Sequence, residues 1–159
     1  MEIKYAEVLQ HSDKTLYLNT IETYNYDKSD SLEHPEYVRN MMVDVFQIHK
    51  KISEEIYLIA TTTKSVPLAV FKIGRGAIDS AMVDVRGIMI SLLLSNAAGF
   101  ILVHNHPSGN CSPSDTDEDA TKKIYKASQL LEINFLDHII IDSTKSFHSF
   151  YTYIQSLKH

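Results

Sequence analysis

Two histidines one residue apart, His104 and His106, stand at the end of the apolar run "GFILVHNH". Alternate side chains of a strand share a face, so both imidazoles project together while Asn105 turns away. Two neutral imidazoles that approach one point are the start of a transition-metal site. Pro107 and Gly109 then stop the strand, and Ser114-Asp115-Thr116-Asp117 opens a helix. Asp117 falls in the first turn of that helix, from where its carboxylate can swing back to the histidines. His104, His106 and Asp117 form a three-ligand set suited to one zinc ion, Zn2+, whose fourth position stays open for water. Bound zinc brings the pKa of that water to roughly 7. A carboxylate that accepts its proton would complete a hydrolytic site. Glu54 and Glu55, at the head of "EEIYLIATTT", are the candidates.

Plainer readings exist for each part. Ser-x-x-Asp is also a capping-box start, and Asp115, Asp117, Glu118 and Asp119 all suit the positive end of a helix. A His-x-His pair is often only a polar strand end. The strand-borne pair followed by a helix start at fixed distance is more specific than either part, and it favours the metal. Cys111 lies in the same loop, but a thiolate ligand would close the open position, so loop packing fits it better. His138, in "LDHIII", suits a hydrogen-bonding place in the core more than a contact with substrate.

The elements that must position these residues follow from pattern. Two strands, "IKYAEVLQ" and "KTLYLNT", precede a polar stretch. A helix starts at Pro35, with Val38, Met41, Met42, Val45, Phe46 and Ile48 near helical spacing, and runs to His49-Lys50-Lys51. "EEIYLIATTT" and "VPLAVFKIG" read as a hairpin. Residues 84–97 read as a mostly buried helix despite Gly87. "GFILVHN" reads as a central strand, because its apolar core suits burial on both faces. Residues 114–132 form a helix with Ile124, Tyr125, Ala127, Leu130 and Leu131 inward, and "FLDHIIID" a second central strand. This alternation predicts an α/β fold, a mixed sheet flanked by helices. Residues 1–33 are expected to form a strand and loop segment packed on a domain of residues 34–159.

The chain has 159 residues and one cysteine, which fits a reducing compartment. No apolar stretch approaches the roughly 20 residues of a membrane span, and the first residues lack a signal-peptide pattern. A cytoplasmic location and no membrane partner are expected. The net charge of −5 argues against strong nucleic-acid binding, which depends on Lys and Arg displacing counterions.

"HNHPSGNCSPSDTD" resembles the signature of the RadC family, a branch of the JAMM (MPN+) metalloprotease superfamily. His104, His106 and Pro107 match His-x-His-Pro; residues 108–113 fill the gap before Ser114 and Asp117. "LDHIIID" is similar to the family's Asp-His strand, and the likeness runs over roughly residues 34–152. Asn110-Cys111-Ser112 departs from it, standing where many members have an acid, a proline and a threonine. The resemblance implies the MPN fold, similar to that of cytidine deaminases, with zinc on His104, His106 and Asp117. It implies Glu55 as general base, in preference to Glu54, because the apolar run starts directly after it. It also implies that Ser114 stabilises the oxyanion. The helix-hairpin-helix region that precedes this domain in longer members is absent from the sequence. The leading expectation is a zinc-dependent amide hydrolase, a metallopeptidase or isopeptidase, acting on a peptide or protein. The alternatives are a DNA-repair-associated protein with no hydrolase activity of its own and a catalytically silent MPN scaffold.

Overall fold

A computed structural model of the chain describes residues 1–76 and 84–158. In chain order the elements are β1 (Glu2–Gln10), β2 (Leu16–Asn25), α1 (Pro35–Asp44), β3 (Glu55–Thr61), β4 (Pro67–Arg75), α2 (Val85–Leu94), β5 (Gly99–His106), α3 (Asp115–Leu130), β6 (Asn134–Asp142), β7 (Phe147–Ser149) and α4 (Tyr151–Ser156). The strands form one mixed seven-stranded sheet in the order β2-β1-β4-β3-β5-β6-β7. β5 is central, antiparallel to β3 and parallel to β6. This is the mixed α/β architecture expected, and it is consistent with a JAB/MPN fold.

Each face of the sheet carries its own apolar layer, because the central strands alternate strictly. Leu58, Ala60, Phe100, Leu102 and Ile140 pack with Ile88 and Leu92 of α2, Ile124 of α3 and Ile154 of α4. Tyr57, Ile59, Ile101, Val103 and Ile139 pack on the opposite face with Val38, Met41 and Met42 of α1. A β-strand buried on both faces has no room for polar alternation, which is why "FILV" and "IIID" read as apolar runs. β1 joins this sheet by a parallel pairing of Tyr5 with Val70 on β4, and β2 closes the edge antiparallel to β1.

Three elements differ from expectation. The first helix ends at Asp44 instead of running to Lys51. Gln47 takes a left-handed conformation, φ 50°, and a separate 3-10 turn follows at Ile48–Lys50. Leu130 and Leu131 face solvent, 87% and 41% exposed, while Thr121 and Ser128 take inward places on α3. β2 continues through Ile21–Asn25, beyond "KTLYLNT", because β1 offers it a matching ladder. Gly87 has a local cause: Asp84 caps α2 by accepting from the Gly87 N–H at 2.9 Å, and a Cβ there would lie 2.3 Å from the Asp84 carboxylate. Among the described residues no helix is long and apolar enough to cross a membrane.

Candidate metal centre

β5 and the start of α3 bring His104, His106 and Asp117 together, with one ligand atom from each lying within 4.8 Å of the others. His104 is fully buried, and its Nε2 lies 2.9 Å from Nε2 of His106 and 3.3 Å from Oδ1 of Asp117. His106 Nε2 stands 3.6 Å from Oδ2 of the same carboxylate. The helix start supplies the aim. Ser114 is the N-cap of α3, and its backbone N–H and its Oγ–H both donate to Asp117 Oδ2, at 2.8 and 2.7 Å. The cap and the ligand are thus one structure: a capping box turns the carboxylate inward, where Asp117 is only 2% exposed.

The charge state of this cluster bears on what it can hold. His106 Nδ1 lies 2.8 Å from the Asn110 carbonyl oxygen, which can only accept, so Nδ1 carries the proton. In the neutral ring, Nε2 then presents a lone pair to His104 and Asp117. Hydrogen bonding to Asp117 pulls the His106 pKa up, whereas burial holds that of His104 down. Burial acts to raise the Asp117 pKa, but hydrogen bonds from His104 and His106 in their protonated forms, with that from Ser114, outweigh it and hold the carboxyl far below the usual range. When both rings are neutral, two ring nitrogens and an ionised carboxylate converging beside a cleft are a set of electron-rich atoms. That donor set fits a divalent metal, since two imidazoles and one carboxylate combine borderline-soft nitrogen with hard oxygen.

The two glutamates separate sharply. Ile56 pairs with His104 across β3 and β5, so even-numbered residues of β3 share the histidines' face and odd-numbered ones face away. Glu55 therefore lies on the opposite side of the sheet. There its carboxylate accepts from Lys72 Nζ at 2.6 Å and from the Tyr57 hydroxyl at 2.8 Å. Burial acts to raise its pKa, but the Lys72 ammonium and Tyr57 hydroxyl outweigh this and hold it below the usual range. The expectation that Glu55 stands beside the metal ligands is corrected by strand parity. Glu54, just ahead of β3, borders a cleft of about 310 Å³ with His106, Ser108, Asn110, Ser114 and Asp117. It also raises the pKa of both His104 and His106 through its charge.

Ser114 lines the same cleft, with its hydroxyl directed to Asp117 and Thr116. Cys111 is half-buried and packs against the apolar layer on the α3 side, apart from the ligand cluster. His138 is buried on that side as well, with its Nε2 2.8 Å from His104 Nδ1 and its ring stacked on Phe150. Thr121 touches the other nitrogen of His138 at 2.6 Å and had no signal in the sequence beyond its place four residues after Asp117.

A family model for the RadC-like JAB domain matches residues 32–155. The chain belongs to the RadC-like JAB domain family. A UPF0758 protein of Clostridium acetobutylicum is 33% identical over 118 residues, which is 74% of this chain and 51% of the relative. A UPF0758 protein of Saccharophagus degradans is 38% identical over 100 residues, 63% of this chain and 45% of the relative. One from Flavobacterium johnsoniae is 38% identical over 92 residues, 58% and 40% of the two chains. The chain thus spans about half the length of these curated relatives or less. The group of His104, His106 and Asp117 that could hold a metal ion lies within the matched residues.

Proposed function

We propose that this domain is a zinc-dependent hydrolase of amide bonds, with Glu54 as the general base and a peptide or protein as substrate. The observation that carries the reading is the convergence of His104 Nε2, His106 Nε2 and the Asp117 carboxylate beside a cleft that Glu54 borders. These three residues would hold the metal, which when bound supplies Lewis-acid activation of water and of the scissile carbonyl. The amide as target rests on the resemblance to JAMM metalloproteases.

The chain's own groups divide the remaining work. Glu54 takes a proton from the attacking water and returns it to the departing amine, a general-base and then general-acid role. Ser114 sits at the mouth of the cleft, where its hydroxyl can donate to the oxygen that gains charge. To do so it must leave Asp117 Oδ2, its partner at 2.7 Å. The net charge of −5 disfavours a nucleic-acid substrate.

Elemental analysis of gently purified protein, combined with digestion of an unbiased peptide library, tests this. Wild type is expected to carry zinc and to cleave in a chelator-sensitive way, and His104→Ala to lose both properties. Wild type purified without bound metal, or cleavage that survives chelation, would overturn the proposal.

A further inference from the structure

The two histidines are held in different ways. His106 meets a backbone carbonyl directly through Nδ1, so its proton is fixed by an atom that can only accept. His104 has no such anchor. Its Nδ1 faces Nε2 of His138 at 2.8 Å, and an imidazole nitrogen can donate or accept. What His138 offers is decided one step further on. Its Nδ1 lies 2.6 Å from Thr121 Oγ1, and the Thr121 hydroxyl donates its only proton to the Asp117 carbonyl oxygen at 2.7 Å.

From this geometry we infer that His138 and Thr121 are positioning residues for the metal centre, which together fix the nitrogen that His104 leaves bare. The inference rests on the metal-centre reading above. Donors and acceptors around the ring fix each proton in turn. Thr121 has spent its proton on Asp117 O, so toward His138 it accepts and His138 Nδ1 donates. With its proton on Nδ1, His138 offers a lone pair at Nε2. His104 Nδ1 must then donate to it, and His104 Nε2 is left free and aimed at Asp117 and His106. Every group from His104 Nδ1 through His138 and Thr121 to the Asp117 carbonyl is then matched, and only the Nε2 lone pair of His104 is left over.

The ring starts and ends on the ligands themselves. It leaves His104, passes through β6 and α3, and returns to the main chain of Asp117, 2.7 Å from the Thr121 hydroxyl. Three elements that share no local sequence are thereby locked in one register, and burial makes the lock stiff. Thr121 is fully enclosed, His138 is 1% exposed, and the imidazole lies against Phe150 at 4.8 Å between ring centroids, with the planes 14° apart. A partner behind a ligating imidazole fixes its tautomer and orientation, and losing one typically costs about 10–100-fold in metal affinity. Here that partner is a second histidine, whose own tautomer is set by a threonine.

Thr121→Val tests this cleanly, because it keeps the shape and removes both functions of the hydroxyl. Zinc affinity, measured by competition with a chromophoric chelator, is expected to fall about 10–100-fold in Thr121→Val. Thr121→Ser is expected to restore it to near the wild-type value. Nitrogen-15 shifts of the histidine rings in metal-free wild type should put the proton of both His104 and His138 on Nδ1. His138→Phe should weaken zinc as Thr121→Val does. Thr121→Val that binds zinc as wild type does, or a His138 protonated on Nε2 alone in wild type, overturns the inference while leaving the metal centre standing. Wild type that binds no zinc overturns both.

Discussion

Glu54 and Glu55 are neighbours in sequence and lie on opposite sides of a sheet, so removing each charge should have opposite consequences. Glu54→Gln removes a proton acceptor beside the cleft and is expected to lower amide hydrolysis by about 10²–10⁴-fold, the usual worth of general-base catalysis. Glu54 is half-buried at the rim, so the same change should leave stability within about 0.5 kcal/mol. Glu55→Gln acts elsewhere. It breaks an ion pair whose carboxylate side chain is 8% exposed and whose Lys72 side chain is 32% exposed. Breaking a buried pair costs about 3–5 kcal/mol and an exposed one about 0–1. Lys72 can turn to water and the new amide oxygen still accepts from Tyr57, so about 1–2 kcal/mol is expected. The sign with pH follows from the depressed Glu55 pKa. Its contribution is present above the ordinary carboxyl value of 4.5 and fades as pH falls through the folded-state value. Urea denaturation at pH 7 and pH 3 should therefore separate Glu55→Gln from wild type by more at the higher pH. Library digestion with a parallel zinc assay completes the comparison. If Glu55→Gln abolishes cleavage with zinc retained, while Glu54→Gln cleaves normally, the parity reasoning is refuted.

Three further outcomes are open to measurement. Burial pushes the Asp137 carboxyl up to about 6 despite hydrogen bonds from Ser149 and the His138 N–H. A raised acid favours the folded state at low pH, and that advantage is lost as pH rises from about 4 through about 6. Asp137→Asn should accordingly match wild type near pH 4 and exceed it at pH 8, by at most about 3 kcal/mol. A variant that loses stability relative to wild type as pH rises would contradict this. Ser114→Ala deletes the N-cap of α3 and should cost about 1 kcal/mol in urea denaturation, with Ser114→Thr largely spared; equal stability of all three would refute the capping role. Zinc at about 100-fold its Kd should stabilise wild type by about 2.7 kcal/mol in thermal denaturation and Asp117→Asn far less. An equal gain in that variant would place the metal elsewhere.

The clustering of His104, His106 and Asp117 was legible because every step in it is local. Strand parity aims His104 and His106 to one face, and a four-residue capping signal brings Asp117 round to meet them. The proposed base was not legible, because which glutamate shares the histidines' side depends on how β3 registers against β5, a pairing across about 50 residues that the letters "EEIY" do not encode. Either glutamate can precede an apolar run. Only Ile56 opposite His104 decides which one shares the histidines' side. Leu130 and Leu131 misled for a related reason. Helical spacing marks them as continuing the inward stripe, but Thr121 and Ser128 hold that stripe and the helix ends at Leu130 before it returns to the sheet. Polar residues on a buried stripe are invisible to hydrophobic periodicity, and Thr121 is buried for its hydroxyl.

The residue between the histidines shows why the two halves of the site stay in step. Asn105 points to the opposite face of β5 and is 1% exposed. Its Oδ1 accepts from the Glu55 N–H at 2.7 Å, and its Nδ2 donates to the carbonyls of Ser53 and Lys51, at 3.2 and 3.5 Å. A carboxamide has both an acceptor and two donors, which is what one N–H and two carbonyls require; a serine has a single proton to give. These bonds bracket Glu54, and the Gly76 N–H, just past the end of β4, donates to the Glu54 carbonyl at 2.8 Å. One strand therefore sets the ligands with its even-numbered side chains and the segment that carries Glu54 with its odd-numbered one. Glu55 belongs to the same arrangement. Its bonds to Lys72, Tyr57 and Asn105 lock the start of β3, and the pleat then leaves Glu54, the residue before it, to face the cleft.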